Sequence, residues 1–557
     1  SCFKAALDKS SYRGVDAQGV LQERTPYGTL YFGHNRLAIR GLDSSLNQPF
    51  TQNNSILLYN GEIYNTDELV NLESESGFIG DTDALMSGLN RDVFDCVERI
   101  RGIFSFIHFN RSTNQVILCR DSWGTKPLFI LENDEVLIAS STYKAIPDIL
   151  GVHRISRAAV IQFMVYGASL TTDTISTDIF SVQPGELLEI SLKSGKRTST
   201  FYKVPNSDID LKGHLESTAR SNVVSDVPLG LFLSGGIDSA LLANFVKEIV
   251  KDSFTLGYNF SDDETADAKL SAKSLGISNS SQVCSYAQMK NVALSIGEII
   301  DDLVADQSVV PTFMLCKTAS HSNKVMLSAD GLDELFRGYT RHLKYYRFSS
   351  IERKFISFGL RILSVLSFLP WKPFQHFVVK DQLYDRLLQR SNPIVVKALF
   401  RKKKIRVKKL SSSINDIDAM LMSKEILRKV DVASMRNSLE VRVPFLESTT
   451  VKYMELRSDI AMNETKPILR KLAFDLGLPL HSRKKSGFGW PASKFIYEER
   501  EFICNTITRN MSDSIVDFRV LNRLFKNINR NHYIIWNLYV LSSWIGSIEC
   551  ETEWIDT

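Results

Sequence analysis

The stretch Leu231-Phe-Leu-Ser234-Gly235-Gly236-Ile237-Asp238-Ser239-Ala240-Leu-Leu decides the fold. An apolar run ends at a glycine pair flanked by serines, and helix-forming residues follow at once. Backbone N–H groups exposed by the glycines, a helix N-terminus and two hydroxyls together make a cradle for a phosphate. No lysine follows the glycines, so this is not the Gly-Lys-Ser/Thr loop of phosphoryl-transferring ATPases. Asp238 stands where a carboxylate would hold magnesium against phosphates. A plain strand-to-helix turn would need the glycines but neither the serines nor the aspartate.

Around this stretch, short apolar strands alternate with helical patterns: Leu229-Gly-Leu-Phe-Leu, Ser253-Phe-Thr-Leu-Gly-Tyr and Lys324-Val-Met-Leu-Ser. That alternation predicts a doubly wound parallel sheet with helices on both faces. Beyond residue 340 the pattern is mainly helical. Before it, residues 1–195 read as short alternating strands separated by turns, as in Thr29-Leu-Tyr-Phe-Gly, Ser55-Ile-Leu-Leu-Tyr, Phe104-Ser-Phe-Ile-His-Phe and Gln115-Val-Ile-Leu-Cys. Helical patterns lie between them, at 67–72 and 83–89. The polar segment 196–208 reads as a linker, which gives an α/β protein of two domains, 1–195 and 209–557.

Composition bounds the function. The 557 residues exceed one ordinary core, and 44% hydrophobic with 23% charged residues is globular. Lys plus Arg is 67 against 63 Asp plus Glu, a net charge of +4 that argues against nucleic acid as partner. The basic run Arg401 to Lys409 then reads as a solvated helix face. Seven scattered cysteines, an odd number without Cys-x-x-Cys spacing, argue against a disulfide framework and for a reducing, cytoplasmic setting. The start Ser1-Cys2-Phe3 carries no secretory pattern. The most apolar stretch, Phe355 to Val379, is broken by Arg361, Pro370, Lys372 and Pro373, and reads as an amphipathic helix and not a membrane span.

Two further clusters carry chemistry. In Ser328-Ala329-Asp330-Gly331-Leu332-Asp333-Glu334-Leu335-Phe336-Arg337-Gly338-Tyr339, three carboxylates lie within five residues at the end of an apolar strand. They need cations or solvent, and beside a phosphate loop a magnesium site is the better account. Arg483-Lys484-Lys485-Ser486-Gly487-Phe488-Gly489-Trp490-Pro491 sets cations on a glycine-rich turn, suited to charge on phosphate oxygens.

The phosphate loop resembles that of the ATP pyrophosphatases. With the other two clusters, Asp306 to Thr312 and Asp431 to Leu446, the chain resembles the glutamine-dependent asparagine synthetases. The resemblance implies ATP and magnesium, with Leu233, Leu256, Ser328 and Ala329 at adenosine and Ser234, Gly235, Gly236 and Ser239 in the phosphate loop. It places Asp238 and Asp333 on magnesium, Asp330 at acyl-adenylate formation and breakdown, and Lys485 on the adenylate phosphate. The second cluster departs mildly, with Ala329 for the family's glycine.

The first domain resembles an N-terminal-nucleophile glutaminase, which implies an αββα fold. The motifs are His34-Asn-Arg36-Leu37-Ala38-Ile39, Asn60-Gly61-Glu62-Ile-Tyr-Asn65, Gly80-Asp81-Thr-Asp83, Arg101-Gly-Ile-Phe-Ser-Phe106 and Arg120-Asp-Ser-Trp-Gly-Thr-Lys-Pro127. Arg36 would fork onto the glutamine α-carboxylate and Asp81 would take its ammonium. Asn60 and the Gly61 N–H would form the oxyanion hole, with Leu37, Ala38, Ile39 and Glu62 completing the glutamine site.

The nucleophile of such glutaminases is a cysteine at the mature N-terminus. Cys2 lies only eleven positions before Arg13, in a segment read as helical, with Phe3 and Lys4 in place of Gly-Ile. It is not assigned, and the nucleophile stays unknown. Two accounts remain: a preceding strand absent from this sequence, favoured by the lack of an initiator Met, or a glutaminase that has decayed. The expected activity is glutamine-dependent amidation of aspartate through an acyl-adenylate. Amidation of another carboxylate, such as a sugar uronic acid, ring closure by an internal amine, and a non-catalytic scaffold are the alternatives. The implied partners are small substrates, with neither nucleic acid nor membrane; a homodimer is left open.

Overall fold

A computed structural model describes residues 2–69, 79–170, 174–203, 210–259, 264–346, 384, 388–401, 405, 410, 414–447, 450, 464–478 and 488–556. In the N-terminal domain two layers of strands are stacked. The hairpin β1 (Ala17–Thr25) and β2 (Gly28–Arg36) lies in one layer. The strands β3 (Phe50–Gln52), β4 (Ser55–Ile63), β5 (Gly102–Asn110) and β6 (Gln115–Arg120) lie in the other. The chain returns to the first layer with β7 (Phe129–Glu132) and β8 (Leu137–Ser140), then forms β9 (Val152–Ser156), and β10 (Ile179–Ser181) pairs with β7. With β11 (Glu186–Ser191) and β12 (Arg197–Phe201) the second layer becomes a six-stranded antiparallel sheet ordered β12-β11-β6-β5-β4-β3.

Alternation along each strand sets the layering. Leu57, Tyr59, Phe104, Phe106, Ile117 and Cys119 share a cluster with Leu85, Met86 and Val97 of the helices Asp81–Arg91 and Val93–Arg99. Their neighbours Ile56, Phe109, Val116 and Leu118 pack with Phe32, Leu128 and Ile130 of the facing layer. Both faces are therefore buried, and the strands read as nearly continuous apolar runs. The helix Cys2–Lys9 covers β2 from outside, where a Cβ on Gly33 would meet Phe3 at 2.8 Å. The layer order is αββα.

One expectation needs correcting. Residues 197–201, taken with the linker from their polar composition, form β12 against β11. As the outermost strand it is largely exposed, so serines and threonines suit it.

In the C-terminal domain β13 (Leu229–Phe232), β14 (Asp252–Tyr258), β15 (Ser278–Cys284), β16 (Val325–Leu327) and β17 (Glu440–Arg442) form a parallel sheet ordered β15-β14-β13-β16-β17. The chain winds from β13 out to β15, then crosses to β16 and β17 on the opposite side. The C-terminal ends of β13 and β16 are thus the point where strand order reverses and a crevice opens. Leu231, Leu242, Phe245 and Leu327 pack on one face, and Phe254, Met326 and Val441 with Cys316 and Val430 on the other.

A third core belongs to the helices. Trp536, Tyr539 and Trp544 of the helix Ile528–Ile545 are fully buried, and Trp544 donates to the Asp301 carbonyl at 2.8 Å. The chain closes with β18 (Glu551–Ile555), which pairs in parallel with β9 of the N-terminal domain. The stretch 355–379 lies outside the described residues, as does the basic run except Arg401 and Ile405. Among the described residues no helix is long and apolar enough to cross a membrane.

Two stability measurements check this packing. Trp536→Ala should lose about 3–5 kcal/mol in denaturant unfolding, the usual cost of emptying a buried tryptophan site. His108 sits in the core of β5 with neither ring nitrogen partnered among the described residues, and burial pushes its pKa down to about 4. Between about pH 6.5 and 4 the unfolded chain binds the proton and the folded one does not, so stability falls as pH drops through that window. His108→Leu should flatten this slope in unfolding curves taken at pH 4 to 7.

Candidate active sites

The loop expected to cradle phosphate leaves β13 at the crevice. The Leu233 N–H is anchored on the Phe254 carbonyl at 2.9 Å, and Thr255 Oγ1 donates to the Leu233 carbonyl at 2.6 Å. The loop is pinned from inside by Ser239, whose hydroxyl accepts from the Ser234 N–H at 3.1 Å and lies 3.2 Å from the Gly236 carbonyl. Gly235 has no room for a side chain, since its Cβ would stand 2.7 Å from that of Asp267. The helix Ile237–Val246 then starts at Gly236 with no side-chain cap, so its first N–H groups are left for a ligand.

The acidic turn leaves β16 beside it. Ser328 donates from its backbone N–H to the Arg442 carbonyl at 2.8 Å and from its hydroxyl to Asp330 Oδ2 at 2.6 Å. Gly331 has φ +95°, and a Cβ there would meet Leu446 at 2.7 Å. Glu334 is buried and accepts from the Tyr339 hydroxyl, with burial pushing its carboxyl above the usual range.

Loop and turn line one cavity of about 970 Å³. It brings together Leu233, Ser234, Gly235, Gly236, Asp238, Ser239, Leu256, Ser328, Ala329, Asp330 and Asp333. Asp306 and Thr312 line it too, as do Phe488 to Pro491 of the third cluster. Lys485 and its basic neighbours Arg483 and Lys484 lie outside the described residues.

Two buried lysines in this cavity were not singled out by sequence. The Lys466 ammonium bridges Asp238 Oδ2 and Asp333 Oδ1, 2.6 Å from the latter, so both carboxylates lie within reach of one cation. Among the described residues Asp238 Oδ1 has no hydrogen-bond partner, and no three or more His, Cys, Asp or Glu side chains converge so as to hold a metal ion by themselves. A pair of carboxylates completed by phosphates and water is the usual protein share of a magnesium site, and this pair fits it. The Lys429 ammonium lies 4.0 Å from Asp330 Oδ1. Burial works against its charge, yet Asp330, Asp306 and Glu334 hold its pKa above the ordinary lysine value.

The residues expected at a glutamine site gather in the N-terminal domain. Arg36 donates to the Asp43 carbonyl and Asn47 Oδ1, both at 2.9 Å, and to the Arg40 and Gly41 carbonyls. These bonds shape the loop that carries Leu37, Ala38 and Ile39. Asp81 is buried, accepts from the Tyr59 hydroxyl at 2.8 Å, and is pushed up chiefly by burial. Asn60 Nδ2 is a buried donor with no partner among the described residues. Gly61 follows with φ +147°, and a Cβ on it would stand 2.0 Å from the Ile103 carbonyl. Cys2 is exposed at the start of its helix. Cys96 and Cys119 are buried, and burial raises both thiols, Cys96 to about 12.

Glu62 spans this cluster and the domain junction. One oxygen lies 3.3 Å from Arg40 and the other accepts from Arg442 at 3.0 Å. Burial and Asp81 push its carboxyl up against the pull of Arg442. Glu440 accepts from Arg442 at 2.8 Å and lies 3.4 Å from Lys126. Burial opposes its charge, but Lys126 and Arg442 hold its carboxyl below the ordinary value.

A family model described as asparagine synthase matches residues 210–546, and one described as glutamine amidotransferase domain matches residues 1–202. Asparagine synthetase [glutamine-hydrolyzing] 1 of Bacillus subtilis is 27% identical, with 96% of this chain and 91% of the relative covered. A putative asparagine synthetase [glutamine-hydrolyzing] of Mycobacterium tuberculosis is 26% identical over 98% of this chain and 93% of its own length.

The sequence marks Lys466 only as Lys-Pro at a helix start, which reads as a boundary and not as a site. Removing one partner from a buried ionic group strands the others, at a cost of about 3–5 kcal/mol. Lys466→Met should lose stability on that scale in thermal and denaturant unfolding. Millimolar Mg2+ should restore more of it than it adds to the unmodified protein.

Proposed function

The chain belongs to the asparagine synthase family, and from that premise we propose that it makes asparagine, activating aspartate with ATP and amidating it with nitrogen taken from glutamine. It is a ligase of that family with an amidotransferase domain at its N-terminus. The observation that carries the reading is the shared cavity: a phosphate-cradling loop and an acidic turn meet where strand order reverses.

The residues divide the work as follows. Free N–H groups at the start of the helix Ile237–Val246 hold the phosphates, and Leu233 and Leu256 offer an apolar wall to the adenosine. An oxygen of the aspartate β-carboxylate attacks the α-phosphorus, the bond to the β-phosphate breaks, and pyrophosphate leaves. Magnesium, held by Asp238 and Asp333, would neutralise charge on the transferring phosphate. Ammonia then attacks the acyl carbon and AMP leaves, with Asp330 placed beside Ser328 and Lys429 to take a proton from the incoming nitrogen. In the first domain a nucleophile adds to the side-chain carbonyl carbon of glutamine. The Asn60 amide and the Gly61 N–H would receive the oxyanion so formed, and its collapse breaks the C–N bond and frees ammonia.

Pyrophosphate release measured with aspartate and with a panel of other carboxylates, sugar uronic acids included, tests the acceptor. Release with aspartate is expected, and Asp238→Ala and Asp330→Asn should each lower it by about 100-fold or more. Release with another carboxylate and none with aspartate would overturn the assignment.

A further inference from the structure

Arg442 touches the surroundings of both sites. Its side chain is wholly buried, and its backbone carbonyl accepts from Ser328 N–H at 2.8 Å, where the acidic turn begins. Its guanidinium donates to Glu62 at 3.0 Å, directly after Asn60 and Gly61. It also donates to the Asn222 and Val224 carbonyls at 2.8 and 2.6 Å, in the segment that runs into β13 and the phosphate loop. That same segment is held from the glutamine side, because Asp226 accepts from the Gly41 N–H at 2.8 Å and donates its own N–H to the Ile39 carbonyl at 3.1 Å.

A guanidinium is planar, and its donors are fixed relative to one another. Arg442 cannot follow a movement of Glu62 without changing its bonds to residues 222 and 224, nor can its strand shift without disturbing Ser328. Ordering either end of this set of bonds orders the other. A second ligand then finds part of the ordering already done and binds more tightly.

We propose that Arg442 is a positioning residue that makes glutamine binding in the first domain and nucleotide binding in the second favour each other. The inference rests on the two sites assigned above, and it adds their mutual dependence.

Isothermal titration of the full chain tests it, with glutamine titrated in the presence and absence of Mg2+ and α,β-methylene-ATP, and the reverse. Each ligand should tighten the other by the same factor, at least about fivefold. In Arg442→Lys that factor should fall to within about twofold of one. A purely structural role would weaken each affinity and leave their ratio alone. If Arg442→Lys does not fold, Asp226→Ala, an exposed change that removes only the tie to Gly41, should lower the factor without a shift in melting temperature. Nucleotide affinity that ignores glutamine in the unmodified protein overturns the inference. So does an unchanged factor in a folded Arg442→Lys, or in Asp226→Ala where that variant serves. Absence of nucleotide binding altogether is the separate signature of failure of the proposed function.

Discussion

The guanidinium of Arg442 is buried where the two domains meet, between Glu62 of one and Glu440 of the other, and the domain junction is organised around it. An isolated charge in such a place costs far more than a protein can spare. It is tolerated because every bond around it is charge-assisted or goes to a backbone carbonyl, and because Tyr64 covers it, 5.4 Å from ring centre to guanidinium. Lys126 and Arg40 complete the balance from the N-terminal side. The buried ion pair Arg13–Asp431 and the exposed pair Lys324–Asp16 repeat the theme, so charge complementarity as well as apolar contact fixes how the domains meet. Such a junction is demanding in geometry, because a buried charged network rewards one arrangement and penalises its neighbours.

Given that junction, the crevice follows from topology. Two adjacent strands whose connections depart in opposite directions leave room at their C-terminal ends, and the two loops to which chemistry is assigned are the ones that leave there. The acidic turn is the costlier of the two, with Asp330, Asp333 and Glu334 in one pocket wall. The protein meets that cost with its own cations, Lys429 of the helix Leu427–Met435 and Lys466 just before the helix Pro467–Asp475.

The division between what sequence reveals and what it hides follows from this. The phosphate loop was legible because all its requirements are local: glycines for close approach, a helix start, hydroxyls. The central strands of the six-stranded sheet were legible as short apolar runs between turns, because both of their faces are buried, although β12 was missed, since an exposed edge strand looks like any polar segment. Ser328 to Tyr339 was legible as a cluster of carboxylates. Lys466 and Lys429 were not, and Arg442 was legible only as part of the motif Asp431 to Leu446, because the meaning of each cation comes from residues up to several hundred positions away. Glu62 was read as part of the glutamine site, and nothing local indicates that its side chain turns to the other domain.

The pairing of β18 with β9 sets the timing of assembly. Glu551–Ile555 lies in register with residues 152–156, about 400 residues earlier. At about 5–20 residues per second, a ribosome needs roughly 20–80 s to make the intervening stretch. For that interval β9 is outside the ribosome with its eventual neighbour unmade, its edge open to any other extended strand. The N-terminal domain can collapse early on its own layers, but this edge is sealed only once residues 551–555 have been made, which makes β18 a late clasp on the first domain.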